Sequence, residues 1–131
     1  MSNPTVLFLC QHNAGRSQLG AALLEILAGD RYTITSAGLS PADTVNPAIA
    51  STVAELGLDI TDRTPRAVTV DDLQHADIVI AMKPGLDLPA VPSGRLLEWK
   101  FPDPTDWSTE NVRPLREAVA LRIQSELLDE G

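Results

Sequence analysis

In the stretch VLFLCQHNAGRSQ, Val6 to Gln18, a cysteine, Cys10, ends an apolar run; five residues follow it, then a cation, Arg16, and a hydroxyl, Ser17. A loop that carries a strand into the start of a helix can turn several successive N–H groups inward, and the helix N-terminus adds partial positive charge. Such a ring suits a tetrahedral oxyanion. The planar fork of Arg16 can hold two oxygens at once, which a lysine cannot imitate. Gly15 lets the backbone approach a ligand closely and Asn13 tolerates the left-handed region. Gln11, His12, Asn13, Ala14, Gly15, Arg16 and Ser17 are therefore the expected oxyanion-binding loop. The same field favours a thiolate at Cys10 and makes it a nucleophile, with Ser17 able to donate a hydrogen bond to sulfur. A lone cysteine at a strand end is also compatible with a small buried hydrophobe. The glycine, arginine and serine beside it weigh for catalysis.

The elements that must position this loop follow from periodicity. Thr5 to Cys10 is apolar throughout, as in a strand buried on both faces, and Leu19, Leu23, Ile26 and Leu27 then recur at helical spacing until Gly29. Tyr32 to Ser36 reads as a short strand and Ala37-Gly38 as a turn. Asn46 and Pro47 read as a helix cap and first turn, with Ile49, Val53 and Leu56 on one side. Asp77 to Met82 and Arg95 to Trp99 read as two further strands, and Val112, Leu115, Val119, Ile123 and Leu127 as the buried stripe of a last helix whose Arg116, Glu117, Arg122 and Glu126 face water. Alternating strands and helices predict an α/β fold: one domain over residues 1–131, a three-layer sandwich with a four-stranded parallel sheet and helices on both faces. Ligands of such sheets sit beyond the carboxyl ends of the strands, where Cys10 falls.

Composition restricts the partners. A formal charge of -8 across 131 residues argues against a broad nucleic-acid surface, so any anion site must be local. One cysteine cannot form an internal disulfide, the opening residues lack an export pattern, and no apolar run approaches the roughly 18 to 20 residues of a membrane span. These features predict a cytoplasmic protein with no membrane or nucleic-acid partner. His12 and His75 lack the neighbours of a metal site; His12 reads as an outward loop side chain and His75 as a solvated helix residue. Arg63 and Arg66, near Asp59, Asp62, Asp71 and Asp72, read as surface ion pairs.

Cys10 to Ser17 resembles the Cys-x5-Arg-Ser signature shared by low-molecular-weight protein tyrosine phosphatases and the arsenate reductases similar to them. Ser36-Ala37-Gly38 and Asp103-Pro104 stand where both carry a Ser-Ala-Gly turn and an Asp-Pro pair. The resemblance implies Cys10, Arg16 and Asp103 as catalytic residues, Asp103 being the general acid, and Asn13, Ser17 and Ser36 as support for the loop. Gln18 after Ser17, Thr105 after Pro104, Val45-Asn46-Pro47 and the lack of an aromatic from Leu39 to Val45 resemble the arsenate reductases. The implied activity is arsenate detoxification through a cysteinyl-arsenate on Cys10. The alternative is a phosphatase acting through a phosphocysteine, for which Trp107 offers an aromatic wall; a role for Trp99 is left open. Thioredoxin-coupled arsenate reductases carry two further cysteines, whereas Met82 and the Lys83 to Pro92 loop stand there here. The single cysteine therefore resembles the actinobacterial, mycothiol-dependent type: no bound cofactor, mycothiol as the low-molecular-weight thiol co-substrate, and a mycoredoxin acting on the released product. Glutathione is the other candidate thiol.

Overall fold

The computed structural model describes residues 3–101 and 106–128; Asp103, the residue expected as general acid, lies outside the described residues. Four strands form one parallel sheet in the order β2-β1-β3-β4: β1 Thr5–Cys10, β2 Thr33–Gly38, β3 Ile78–Ala81 and β4 Arg95–Glu98. Four helices accompany them: α1 Arg16–Ala28, α2 Pro47–Ala54, α3 Val70–His75 and α4 Thr109–Ile123, the last continued by a π-helical turn, Gln124–Leu128. The larger core gathers α1, α2 and α4 on one face around Phe8, Leu23, Ile49 and Val119. On the other face α3 packs Leu73 and Ala76 against Leu7, Leu9 and Val79. This is the expected α/β sheet with helices on both faces.

The run of apolar side chains in β1 alternates between these two cores, Val6 and Phe8 on one side and Leu7 and Leu9 on the other. A central strand of a covered parallel sheet requires that pattern. β1 pairs with β2 on one side and β3 on the other, so the chain leaves β1 where the strand order reverses, and the crevice at the carboxyl ends opens there.

Several expected boundaries shift. β2 runs through Ala37 and Gly38 rather than turning at them, because both pair with the end of β1, at Leu9 and Cys10. Ile26, Leu27 and Leu56 are exposed, whereas Leu24, Ala21 and Ala22 are buried. Small residues let α1 sink against the sheet: a Cβ on Gly20 would stand 2.6 Å from the Phe8 ring. Buried on almost every side along Ser17 to Leu24, α1 has no single apolar stripe to read. The buried stripe of α4 is as expected at Val112, Leu115, Val119 and Ile123, and Leu127 is buried in the following turn. Arg116 on α4 is not fully in water: it donates to the Thr52 carbonyl at 3.0 Å and to Glu55 at 2.7 Å, tying α4 to α2.

Candidate active site

The loop between β1 and α1 is shaped by where its carbonyls go. Those of Cys10, Gln11, His12 and Ala14 accept from the amides of Leu39, Ser40, Ala42 and Asn46 at 2.7 to 3.3 Å. The Asn13 carbonyl accepts from Gln18 Nε2 at 3.0 Å and that of Gly15 from the Leu19 amide at 3.0 Å. Every carbonyl from Cys10 to Gly15 is thus drawn outward. Each peptide unit is planar with its N–H opposite its C=O, so the amides of residues 11–16 turn the other way, into the loop. Among the described residues none of the amides of residues 11–15 has an acceptor within the protein. Together with the start of the 13-residue helix α1 they form a cup of donors suited to an oxyanion.

Two backbone features let this cup close. Asn13 has φ of 50°, the left-handed region, which the sequence anticipated from its tolerance of that conformation. Gly38, directly beside the cup, could not carry a side chain, since a Cβ would lie 2.7 Å from the Asn13 nitrogen and 3.0 Å from the Gln11 carbonyl oxygen. Both are backbone atoms of the loop itself, and the Gln11 oxygen is already tied to the Ser40 amide at 2.7 Å, so a side chain there would distort the cup.

Cys10 lies at the floor of the cup, and its Sγ is 2.8 Å from Ser17 Oγ. Asn13 Nδ2, which has no lone pair to offer, donates to the same Oγ at 2.8 Å. The Ser17 proton is therefore free to point at sulfur. Asn13 is in turn oriented through Oδ1, which accepts from the Arg66 amide at 3.0 Å and from Gln18 Nε2 at 3.3 Å. Asn13, Ser17 and Gln18 are all buried. This directed chain of donors brings together the expected Asn13 and Ser17. Ser36 makes no side-chain hydrogen bond to the loop among the described residues; it borders a separate cavity behind the loop, with Asn13, Gln18 and Thr35. Gln18, buried behind the loop, donates to both the carbonyl and the side-chain oxygen of Asn13, a contact that its spacing of five from Asn13 does not signal.

On the open side, Cys10, Gln11, His12, Ala14, Gly15 and Arg16 line a cleft of about 330 Å³ with Asn46, Lys83 and Trp107. Burial pulls the Arg16 guanidinium below its ordinary value, opposed by the charge of neighbouring Cys10. It remains a cation in any case. Its central carbon is 5.9 Å from the centre of the Trp107 ring, which forms the aromatic wall of the cleft. Trp99 is instead buried in the core and plays no part in the cleft. His12 is exposed at the rim, and because a carbonyl can only accept, its Nδ1 donates to the Ser40 oxygen at 3.0 Å. Asn46 caps α2 through its side chain, with Pro47 in the first turn as expected, which fixes this edge of the cleft.

The Arg66 side chain pairs with Asp72 at 2.9 Å and that of Arg63 with Glu25 at 2.7 Å; both arginines border the cavity behind the loop and neither lines the cleft. His75 is exposed on α3, its ring bonded to the Asp71 carbonyl. No group of metal-ligating side chains and no helix long and apolar enough to cross a membrane occurs among the described residues.

The match to known proteins agrees with this geometry. Residues 5–87 match the family model of the low molecular weight phosphotyrosine protein phosphatases, which spans the cup, β2, α2 and β3. The chain belongs to that family. Within it, similar proteins include arsenate reductase 1 of Staphylococcus epidermidis, 33% identical over 95% of this chain and 96% of that protein. A solved arsenate reductase in the phosphate-binding state superposes with a TM-score of 0.81 at 27% identity, covering 93% of this chain and 95% of that one. A thioredoxin-dependent arsenate reductase of Corynebacterium glutamicum gives a TM-score of 0.78 at 34% identity over 95% of this chain, which spans 60% of that protein's length.

Proposed function

We propose that this member of the family is an arsenate reductase that forms a cysteinyl-arsenate on Cys10 and hands the arsenic to a low-molecular-weight thiol. The observation that carries the reading is the Cys10 sulfur, bonded to Ser17 at the floor of an amide-lined cup and open to a cleft that contains Arg16. The names of the relatives, and the absence of a second cysteine from these 131 residues, support the choice of arsenate and of an external thiol.

In this scheme arsenate enters the cup, its oxygens taking the free amides and the Arg16 fork. The Cys10 thiolate bonds to arsenic while an arsenic–oxygen bond breaks, and the departing oxygen takes a proton from Asp103, a role that rests on the family resemblance. An incoming thiolate then bonds to arsenic, the arsenic–sulfur bond to Cys10 breaks, and Cys10 leaves as the thiolate. Arsenic is still pentavalent. A redoxin thiolate next attacks the sulfur of the released adduct, and arsenic departs as arsenite with the electron pair. Mycothiol with mycoredoxin and glutathione are the two thiol candidates, the first suggested by the single-cysteine pattern. A cytoplasmic setting, where such thiols are abundant, belongs to the same proposal.

A second reading, phosphate-ester hydrolysis through a phosphocysteine, is favoured by one feature: the exposed Trp107 ring beside Gly15 and Arg16, which could stack on an aryl group. Paired turnover separates the two. Arsenite release with arsenate and thiol should exceed para-nitrophenyl phosphate hydrolysis, and Cys10→Ser should abolish both. Dominant phosphatase turnover, with arsenate acting only as an inhibitor, reverses the ranking.

A further inference from the structure

The chain has only two lysines, Lys83 and Lys100. They follow neighbouring parallel strands: Ala81 of β3 pairs with Glu98 of β4, and each lysine comes two residues further on. The register therefore delivers both ammonium groups to the same end of the sheet. There they line, with Arg16, Pro84 and Phe101, a groove of about 220 Å³ that shares Arg16 and Lys83 with the catalytic cleft. Arg63, Arg66, Arg113, Arg116 and Arg122 each have a carboxylate partner; among the described residues neither lysine has one. In a chain of formal charge -8, two cations with no carboxylate partner among the described residues thus line one groove, and that groove adjoins the cleft that holds Cys10.

Resting on the arsenate reductase reading, we propose that this groove binds an ionised carboxylate of the incoming thiol, so that carboxylate-bearing thiols such as glutathione are preferred over thiols that have none, such as mycothiol. Arg16 faces the oxyanion in the cup, which leaves Lys83 and Lys100 for a second negative group. Pro84 and Phe101 give the groove an apolar wall that suits the stem of an organic molecule rather than a bare inorganic ion. A thiol anchored there by its carboxylate places its sulfur toward the adjoining cleft. Its sulfur bonds to arsenic, the bond from arsenic to Cys10 breaks, the thiol proton passes to water, and no oxidation state changes.

The test compares wild type with Lys83→Gln/Lys100→Gln at saturating arsenate. The ratio of kcat/KM for glutathione to that for mycothiol should fall roughly tenfold in the variant, chiefly through KM for glutathione. An equal loss with both thiols, or a wild type that prefers mycothiol, overturns the inference. Calorimetric binding of S-methylglutathione, which cannot take up arsenic, reads the groove without turnover. Binding should weaken by a similar factor in the variant and in wild type given the diethyl ester. Lysine-dependent binding in a wild type that reduces no arsenate would sink the arsenate reading alone; arsenate turnover with charge-indifferent binding would sink the groove alone.

Discussion

Cys10 receives the end of a one-way series of hydrogen bonds. Gln18 and the Arg66 amide donate to Asn13, Asn13 donates to Ser17, and Ser17 is left to donate to sulfur. Donors in series polarise one another, and at buried positions they have no water to compete with. A hydrogen bond to a charged acceptor contributes about 1.5 to 3 kcal/mol. Ser17→Ala removes that donor, and initial rates at saturating substrate should fall roughly ten- to a hundredfold. Ser17→Thr, which keeps a hydroxyl at the position, should lose much less. An equal loss in both variants would mean that Ser17 only shapes the loop.

At the scale of elements, α2 and α4 are joined at one carboxylate. Glu55, which follows α2, accepts from Arg113 Nε at 3.1 Å and from Arg116 Nη1 at 2.7 Å, both on α4. These bonds, that from Arg113 foremost and that from Arg116 next, hold the Glu55 carboxyl down to about 2 from an ordinary 4.5. A carboxyl more acidic in the folded state adds stability above its unfolded value, which is lost as pH falls through the folded one. The difference in urea midpoint between wild type and Glu55→Gln should be steady above pH 5 and shrink between about pH 4.5 and 2. Solvent around these groups keeps that difference small. None of this pairing was visible in the sequence, since residues 55 and 113 meet only through the fold. What was visible were local signals: the apolar run of β1, the Asn46-Pro47 start of α2, the stripe of α4 and the cysteine loop itself. Ile26 and Leu56 were misplaced because periodicity assumes one buried face, while α1 is buried nearly all round and α2 ends before Leu56. Of the cleft rim, Asn46 and Trp107 stood out through the family resemblance, whereas Lys83 comes from a distant segment that no motif announced.

At the scale of the whole molecule, a chain of formal charge -8 must admit a doubly charged anion. Two fields of different range act on it. The net charge is spread over the surface and repels at long distance, whereas Arg16, Lys83 and Lys100 attract only close to the cleft. Ionic strength separates the two, because the screening length is about 30 Å at 0.01 M and about 10 Å at 0.1 M. The first exceeds the reach of the cleft and lets the approaching ion feel the whole molecule; the second leaves mainly the local cations. For wild type, kcat/KM for arsenate should rise with salt from about 0.01 to 0.1 M as the repulsion is screened. It should fall again toward 1 M, where the length shrinks to about 3 Å and the local attraction is screened too. In Lys83→Gln/Lys100→Gln the falling limb should flatten, because less attraction remains to screen, while the rising limb persists or steepens. Sodium chloride titration of initial rates at fixed pH measures both limbs. A monotonic fall from the lowest salt would mean that the local cations already dominate at long range, and that the acidic surface has no say in how the ion arrives.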